Sequence, residues 1–183
     1  MKSIINYQLS IINYQLSIIE MKYFTKTELI KCFRERKEDR CPECRLTSAA
    51  HSLPNGAEAA LEALVDNMLD PAREALKKPI YLTSAFRCPL HNAKVGSKPT
   101  SQHIKGEACD IYCGTPEENL ELAKILVTQN NFDQMILYVD SSTSLAPRFI
   151  HVSYKRIGEN RHRILKQVTG TAGYVVVART ELL

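Results

Sequence analysis

Gly106 stands between His103 and Asp110 in the run Ser101-Gln102-His103-Ile104-Lys105-Gly106-Glu107-Ala108-Cys109-Asp110. A glycine inside a helix costs about 1 kcal/mol relative to alanine, so the run does not read as one continuous helix. A turn at Gly106 instead folds the segment carrying His103 back beside a short strand, Glu107–Tyr112, on which Ala108 and Asp110 share a face. A second histidine, His151, stands alone in the apolar, β-branched run Phe149-Ile150-His151-Val152-Ser153-Tyr154. Ser153 shares its face, and Ile150 and Val152 point the other way. Such an imidazole faces a cleft while its neighbours fill a core.

The rest of the chain alternates helix and strand signals. Thr25 followed by Glu28 predicts a capping box for a helix over Lys26–Arg36, and residues 37–56 read as polar loop. Leu61, Leu64, Val65, Met68, Leu69 and Leu76 make a helical stripe over Ala57–Leu76, kinked or broken at Pro71. Ile80–Ala85 reads as a strand and Arg87–Thr100, with two prolines and Gly96, as loop. Thr115, Pro116, Glu117 and Glu118 start a helix that runs to about Gln129. Gln134–Val139 and Arg148–Tyr154 are β-rich runs joined by the polar loop Asp140–Pro147, and Val168–Ala178 suggests a last hairpin around Gly170–Gly173. Helices first, then strands interleaved with one helix, predict a single α+β domain: a small, mostly antiparallel sheet flanked by helices.

Residues 3–19 write the heptapeptide SIINYQL twice and begin a third copy. A repeat this perfect reads as translated repetitive DNA. Residues 1–20 are therefore expected to be an extension outside a domain spanning 21–183; a short amphipathic helix or an added strand is the other reading. The segment lacks the small-residue cleavage site of a signal peptide, so cytoplasmic synthesis is expected. No apolar run approaches 18 residues, so no transmembrane segment is expected. The net charge of +4 suits an anionic surface such as a cell wall and is no nucleic-acid footprint. The six cysteines are too few for a disulfide scaffold and read as thiols in a reducing compartment. Cys41 and Cys44, with Cys32 and His51 nearby, offer only a weak pattern for a second, structural zinc site. The basic stretch Lys155–Lys166 reads as a solvated face.

Two imidazoles and a carboxylate (His103, His151 and Asp110) make a three-ligand zinc set with one position open. The competing reading of His151 is a hydrogen-bonded, partly buried strand residue.

The wider pattern decides between them. Ser84 and Arg87; Ser101, His103, Gly106, Ala108 and Asp110; and a late strand histidine, His151, resemble the zinc D-alanyl-D-alanine carboxypeptidase superfamily over about Met21 to Tyr154. That group includes D-Ala-D-Ala dipeptidases, phage L-alanyl-D-glutamate endolysins and the hedgehog signalling domain, and the chain is most similar to its small bacterial or prophage-borne members. The resemblance implies that His103, Asp110 and His151 bind Zn²⁺. It implies that Arg87 meets a substrate carboxylate or oxyanion, with Ser101 beside it shaping the loop together with Gln102. It also implies a peptidoglycan stem peptide as substrate, cleaved at a D-amino-acid bond; a monomer is expected, and a leaderless wall hydrolase could stay cytoplasmic until a phage-type pore releases it.

The sequence departs from the family at one point. Peptidases of this group carry an acidic general base shortly before the last histidine. Between Gln134 and His151 this chain has one acid, Asp140; Tyr138 stands where many relatives have Glu, and Arg148 where others have an acid. Asp140 is the expected base, with Tyr138 or Glu107 as substitutes. Without any base, the expectation becomes a zinc-stabilised, non-catalytic module that binds wall peptides or a protein partner. Asp133 is expected to be structural.

Overall fold

Two capping boxes and one proline set where the helices begin and bend. The computed structural model describes residues 21–31 and 53–183. Helix α1 (Lys26–Ile30) starts where predicted: Thr25 Oγ1 accepts from the Glu28 amide at 3.2 Å, and Glu28 Oε2 accepts from the Thr25 amide at 2.8 Å. The helix is shorter than the predicted Lys26–Arg36: Lys31 is already extended at φ −66° and ψ 140°, its amide donating to Glu28 O, while residues 32–36, the heptapeptide repeat and the group Cys32, Cys41, Cys44 and His51 lie outside the described residues.

The stripe over Ala57–Leu76 forms α2 (Ala57–Leu64), a π-helical turn (Val65–Leu69) and α3 (Asp70–Leu76). Pro71 has no N–H to give to the carbonyl of Asn67, and its ring crowds that turn. The chain responds by widening: the Asp70 amide donates to Val65 O, five residues back. The Asn67 carbonyl that Pro71 cannot serve accepts from Asn131 Nδ2 at 3.3 Å instead. The helix bulges and continues, and Leu61, Leu64, Val65, Met68, Leu69 and Ala72 all stay buried.

Six strands form one sheet: β1 (Tyr81–Ser84), β2 (Ala108–Tyr112), β3 (Gln134–Val139), β4 (Phe149–Ser153), β5 (Arg163–Val168) and β6 (Val175–Val176), in the order β1-β2-β4-β3-β5-β6. Every neighbouring pair is antiparallel except β3 and β5, so the sheet is mixed, though mostly antiparallel. Between β2 and β3 runs α5 (Pro116–Gln129), opened by the predicted capping box of Thr115 and Glu118. Its Asn119 is fully buried; Oδ1 accepts from the Cys113 amide at 2.7 Å, and Nδ2 donates to the Pro147 and Arg148 carbonyls at 3.0 and 2.9 Å. One amide side chain thus ties the end of β2 to the start of β4.

Strand alternation sorts the two faces. Cys109, Ile111, Met135, Leu137, Val139, Ile150 and Val152 join the helices' apolar residues in one core cluster. Asp110, Ile136, Tyr138 and His151 occupy the opposite face and line a cleft.

Two segments differ from the sequence reading. Arg87–Thr100 is not all loop: Pro89 opens a short helix, α4 (Pro89–Lys94), because a proline at the first helical position gives up no hydrogen bond. The basic stretch Lys155–Lys166 is not all solvated face: its end enters β5, where Ile164 and Leu165 are buried. The hairpin around Gly170–Gly173 exists, but its first arm starts at Arg163.

The parallel β3–β5 pair needs no long crossover, because the chain leaves β4 beside the start of β3 and only has to step across it. Asp133 clasps that step. Its carbonyl accepts from the Arg163 amide at 3.1 Å, and its fully buried carboxylate meets the Arg161 guanidinium, Lys155 Nζ at 3.2 Å and Gln102 Nε2 at 3.1 Å. Burial pushes this carboxyl up, but Arg161 and then Lys155 outweigh it and bring it down to about 2. A carboxylate depressed in the folded state contributes stability above its ordinary pKa near 4 and loses it as pH falls through about 2. Asp133→Asn is therefore expected to cost about 2 kcal/mol at pH 7 and to flatten the acid limb between pH 4 and 2. Urea unfolding of the chelated protein across that range checks both; an unchanged acid limb would refute the assignment.

Candidate metal centre

Three elements converge on the cleft floor. Ser101 caps a 3₁₀ turn (Gln102–Lys105), its Oγ accepting from the His103 amide at 3.4 Å, and Gly106 closes the turn at φ +74°. A Cβ on Gly106 would stand 2.4 Å from Ala57 O and 3.1 Å from Leu61 Cγ, so the turn lies directly against the start of α2. His103 is thereby buried, and its Nδ1 donates to Ala85 O at 2.7 Å. That bond leaves Nε2 as the lone-pair atom facing the cleft.

Asp110 and His151 are register partners at the centres of β2 and β4, and Ile136 on β3 stands opposite His151. His103 Nε2 lies 3.1 Å from His151 Nδ1 and 3.3 Å from Asp110 Oδ1, and His151 Nδ1 lies 2.9 Å from Asp110 Oδ1. Ligand atoms about 2.0–2.1 Å from a tetrahedral zinc stand roughly 3.3 Å apart, close to this triangle. Three acceptor-capable atoms crowd together here. Two imidazole nitrogens and one carboxylate oxygen this close together could hold a divalent cation, so the residues fit zinc.

The electrostatics keep the ligands in binding form. Burial would raise the Asp110 carboxyl, but His103 and His151 hold it well below the usual carboxylate range. Burial also lowers His103, against the pull of Asp110. An ionised carboxylate beside a neutral imidazole is the form that takes a metal.

Arg87 holds the other oxygen of Asp110. Its Nη2 pairs with Asp110 Oδ2, its Nε donates to Ser84 Oγ at 2.7 Å, and Nη1 reaches Ser97 Oγ at 3.4 Å. The arginine expected to meet substrate therefore also fixes the carboxylate, presenting Oδ1 to the histidines. Ser101 and Gln102 line the cleft as well, Gln102 anchored on Asp133.

The structure does not bring Asp140 to this cluster. Asp140 sits just past the end of β3, four residues beyond Ile136, or about 13 Å along the strand direction. Its side chain is 65% exposed, with Oδ1 3.0 Å from Arg148 Nε and 3.4 Å from Thr169 Oγ1. Among the described residues, the acids lining the cleft are Asp110 and Glu107.

A family model described as peptidase M15 matches residues 22–153, a span holding Arg87, His103, Asp110 and His151. The chain belongs to the peptidase M15 family. These are zinc D-Ala-D-Ala carboxypeptidase-like proteins, and the His-Asp-His triangle is a group of side chains that could hold a metal ion. No curated protein matches the chain significantly. The M15 match stops at the last residue of β4, yet the cleft, about 720 Å³, extends past it: Lys155, Arg161, Gln167 and Tyr174 also line the wall. Sequence reading missed these residues, since Lys155 and Arg161 come from the β4–β5 connection, Gln167 from β5 and Tyr174 from just past the Gly170–Gly173 turn, all outside the motif. Among the described residues, no helix is long and apolar enough to cross a membrane.

Proposed function

We propose that this M15 chain is a zinc-dependent peptidase that hydrolyses peptidoglycan stem peptides at a bond flanking a D-amino acid. The observation that carries the reading is the His103, Asp110, His151 triangle on the floor of an open cleft. A zinc ion held there would supply Lewis acidity toward a peptide carbonyl and a water activated near neutral pH. The protein's own groups do the rest. Arg87 fixes Asp110 and offers its remaining guanidinium edge to a substrate carboxylate. Lys98 and Lys105 add positive charge to the wall, which suits a peptide bearing free carboxylates.

Glu107 takes the proton-transfer role in this proposal. It lies three residues before Asp110 and lines the same cleft, the one acid there besides Asp110 among the described residues. Glu107→Gln is expected to lower kcat about 10²–10⁴-fold, whereas Asp140→Asn should stay within about twofold of wild type. The reverse pattern would restore Asp140 as the base.

The exposed position of Asp140 favours a second reading, a zinc-stabilised module that binds wall peptides without cleaving them. Purified stem-peptide fragments ending in D-Ala-D-Ala, or containing L-Ala-D-Glu, incubated with and without a chelator, separate the two. Chelator-sensitive cleavage supports the peptidase. One equivalent of bound zinc with every fragment intact would support the module.

A further inference from the structure

We propose that the Tyr138 hydroxyl donates a hydrogen bond to the substrate oxygen that gains negative charge as the scissile carbonyl becomes tetrahedral. The inference rests on the peptidase reading and assigns this tyrosine a task at the reacting centre.

Register places the residue. Ile136 stands opposite His151, and Tyr138 is the next residue along β3 on the same face, paired with Phe149. Diagonal neighbours in a sheet stand about 7–8 Å apart at Cα, within reach of a tyrosine side chain. Tyr138 lines the same cleft wall as His103, Asp110 and His151. Glu107 precedes the Ala108–Ser153 row on one side of the Asp110–His151 row, and Tyr138 occupies the row on the other side. A proton acceptor and a hydrogen-bond donor thus flank the centre from opposite ends.

The ring is fixed. It stacks on Phe149 with centroids 4.3 Å apart and planes 13° from parallel. A donor held before the reaction needs no reorganisation during it, which is the source of oxyanion stabilisation. Burial, then the neighbouring Tyr174 and Asp110, push the phenol pKa up, with Arg87 opposing. A phenol that keeps its proton is a poor base and a persistent donor, so no proton transfer is assigned to it. Tyr174, which lines the same cleft from beyond the family-matched span, is the neighbouring side chain that contributes most to raising the Tyr138 phenol.

The test compares wild type, Tyr138→Phe and Tyr174→Phe in the full zinc-loaded chain, using a phosphinic D-Ala-D-Ala analogue whose tetrahedral oxygens mimic the reacting centre. In Tyr138→Phe, calorimetric affinity for the phosphinate is expected to fall about 10²-fold. Affinity for planar D-Ala-D-Ala should change less than about threefold, since the bond belongs to the tetrahedral state. Zinc content and Tm should match wild type, because the ring and its stacking remain. Tyr174→Phe should show a smaller loss, about three- to tenfold, and decides the matter should Tyr138→Phe fold poorly. Unchanged phosphinate affinity in Tyr138→Phe, or equal losses for the phosphinate and the planar dipeptide, would overturn the proposal alone. A wild-type protein that neither cleaves stem peptides nor binds the phosphinate would overturn the peptidase reading and this assignment with it.

Discussion

His103→Ala is expected to abolish zinc retention: wild type should hold one zinc per chain after desalting, and the variant less than about a tenth. The substitution removes one of three ligands, and two remaining groups do not make a closed site for a tetrahedral ion. It also breaks the bond to Ala85 O that sets the imidazole's orientation. The second readout is thermal. A ligand at about 100 times its Kd stabilises a fold by about 2.7 kcal/mol, which for a chain of this size raises Tm by roughly 5–10 °C. Wild type should show that rise when zinc is added back after chelation; His103→Ala should not. One equivalent of tightly bound zinc in the variant would place the metal elsewhere.

Gly106→Ala is expected to be nearly as damaging, for a reason unconnected with ligand chemistry. The backbone is left-handed at φ +74°, which costs a residue with a Cβ about 1–2 kcal/mol. The new methyl would also collide with a backbone oxygen, Ala57 O, at 2.4 Å. The sum is expected to reach about 3 kcal/mol or more, a fall in Tm of about 6–12 °C, together with weaker zinc binding as the His103 turn shifts off α2. Gly170→Ala is the matched control. Its φ is +77°, but nothing stands within 4 Å of its Cβ. Only the conformational cost applies there, so the difference between the two variants measures the clash. Equal losses would mean that the packing of the turn against α2 contributes nothing.

Much of the scaffold was legible in the sequence, and the reasons are local. Thr115, Pro116 and Glu118 carry every signal of a helix start, and α5 begins and ends where they predict. Gln134–Val139 coincides with β3 because its apolar, β-branched run ends in a polar loop. Strand β5 was hidden because charged residues punctuate it and its principal partner, β3, lies parallel to it and remote in sequence. The closeness of His103, Asp110 and His151 was expected from the resemblance carried by Ser84, Arg87 and the Ser101–Asp110 run; the His103-to-Asp110 spacing alone was a weak signal. The pairing of Arg87 with Asp110 was not legible, since it depends on Ser84 lying in register with Asp110 across β1 and β2. Asp140 looked central because it is the one acid in its stretch of sequence, but the strand runs on past the site before reaching it. Tyr174 gave no signal at all; a hairpin outside the family motif carries it to the cleft.

The strand order has a consequence for how the protein matures. β4, the third of the central strands to be synthesised, lies between β2 and β3, both of which precede it in the chain. A slip of one residue in its pairing would turn His151 into the apolar core and Ile150 into the cleft. The centre therefore does not exist in any half-built sheet. It closes only when β4 has been threaded between its older neighbours in the right phase. Under the proposed zinc reading, metal uptake by a refolding chain would report that insertion, and a nascent chain that has not finished its sheet would lack the complete triangle.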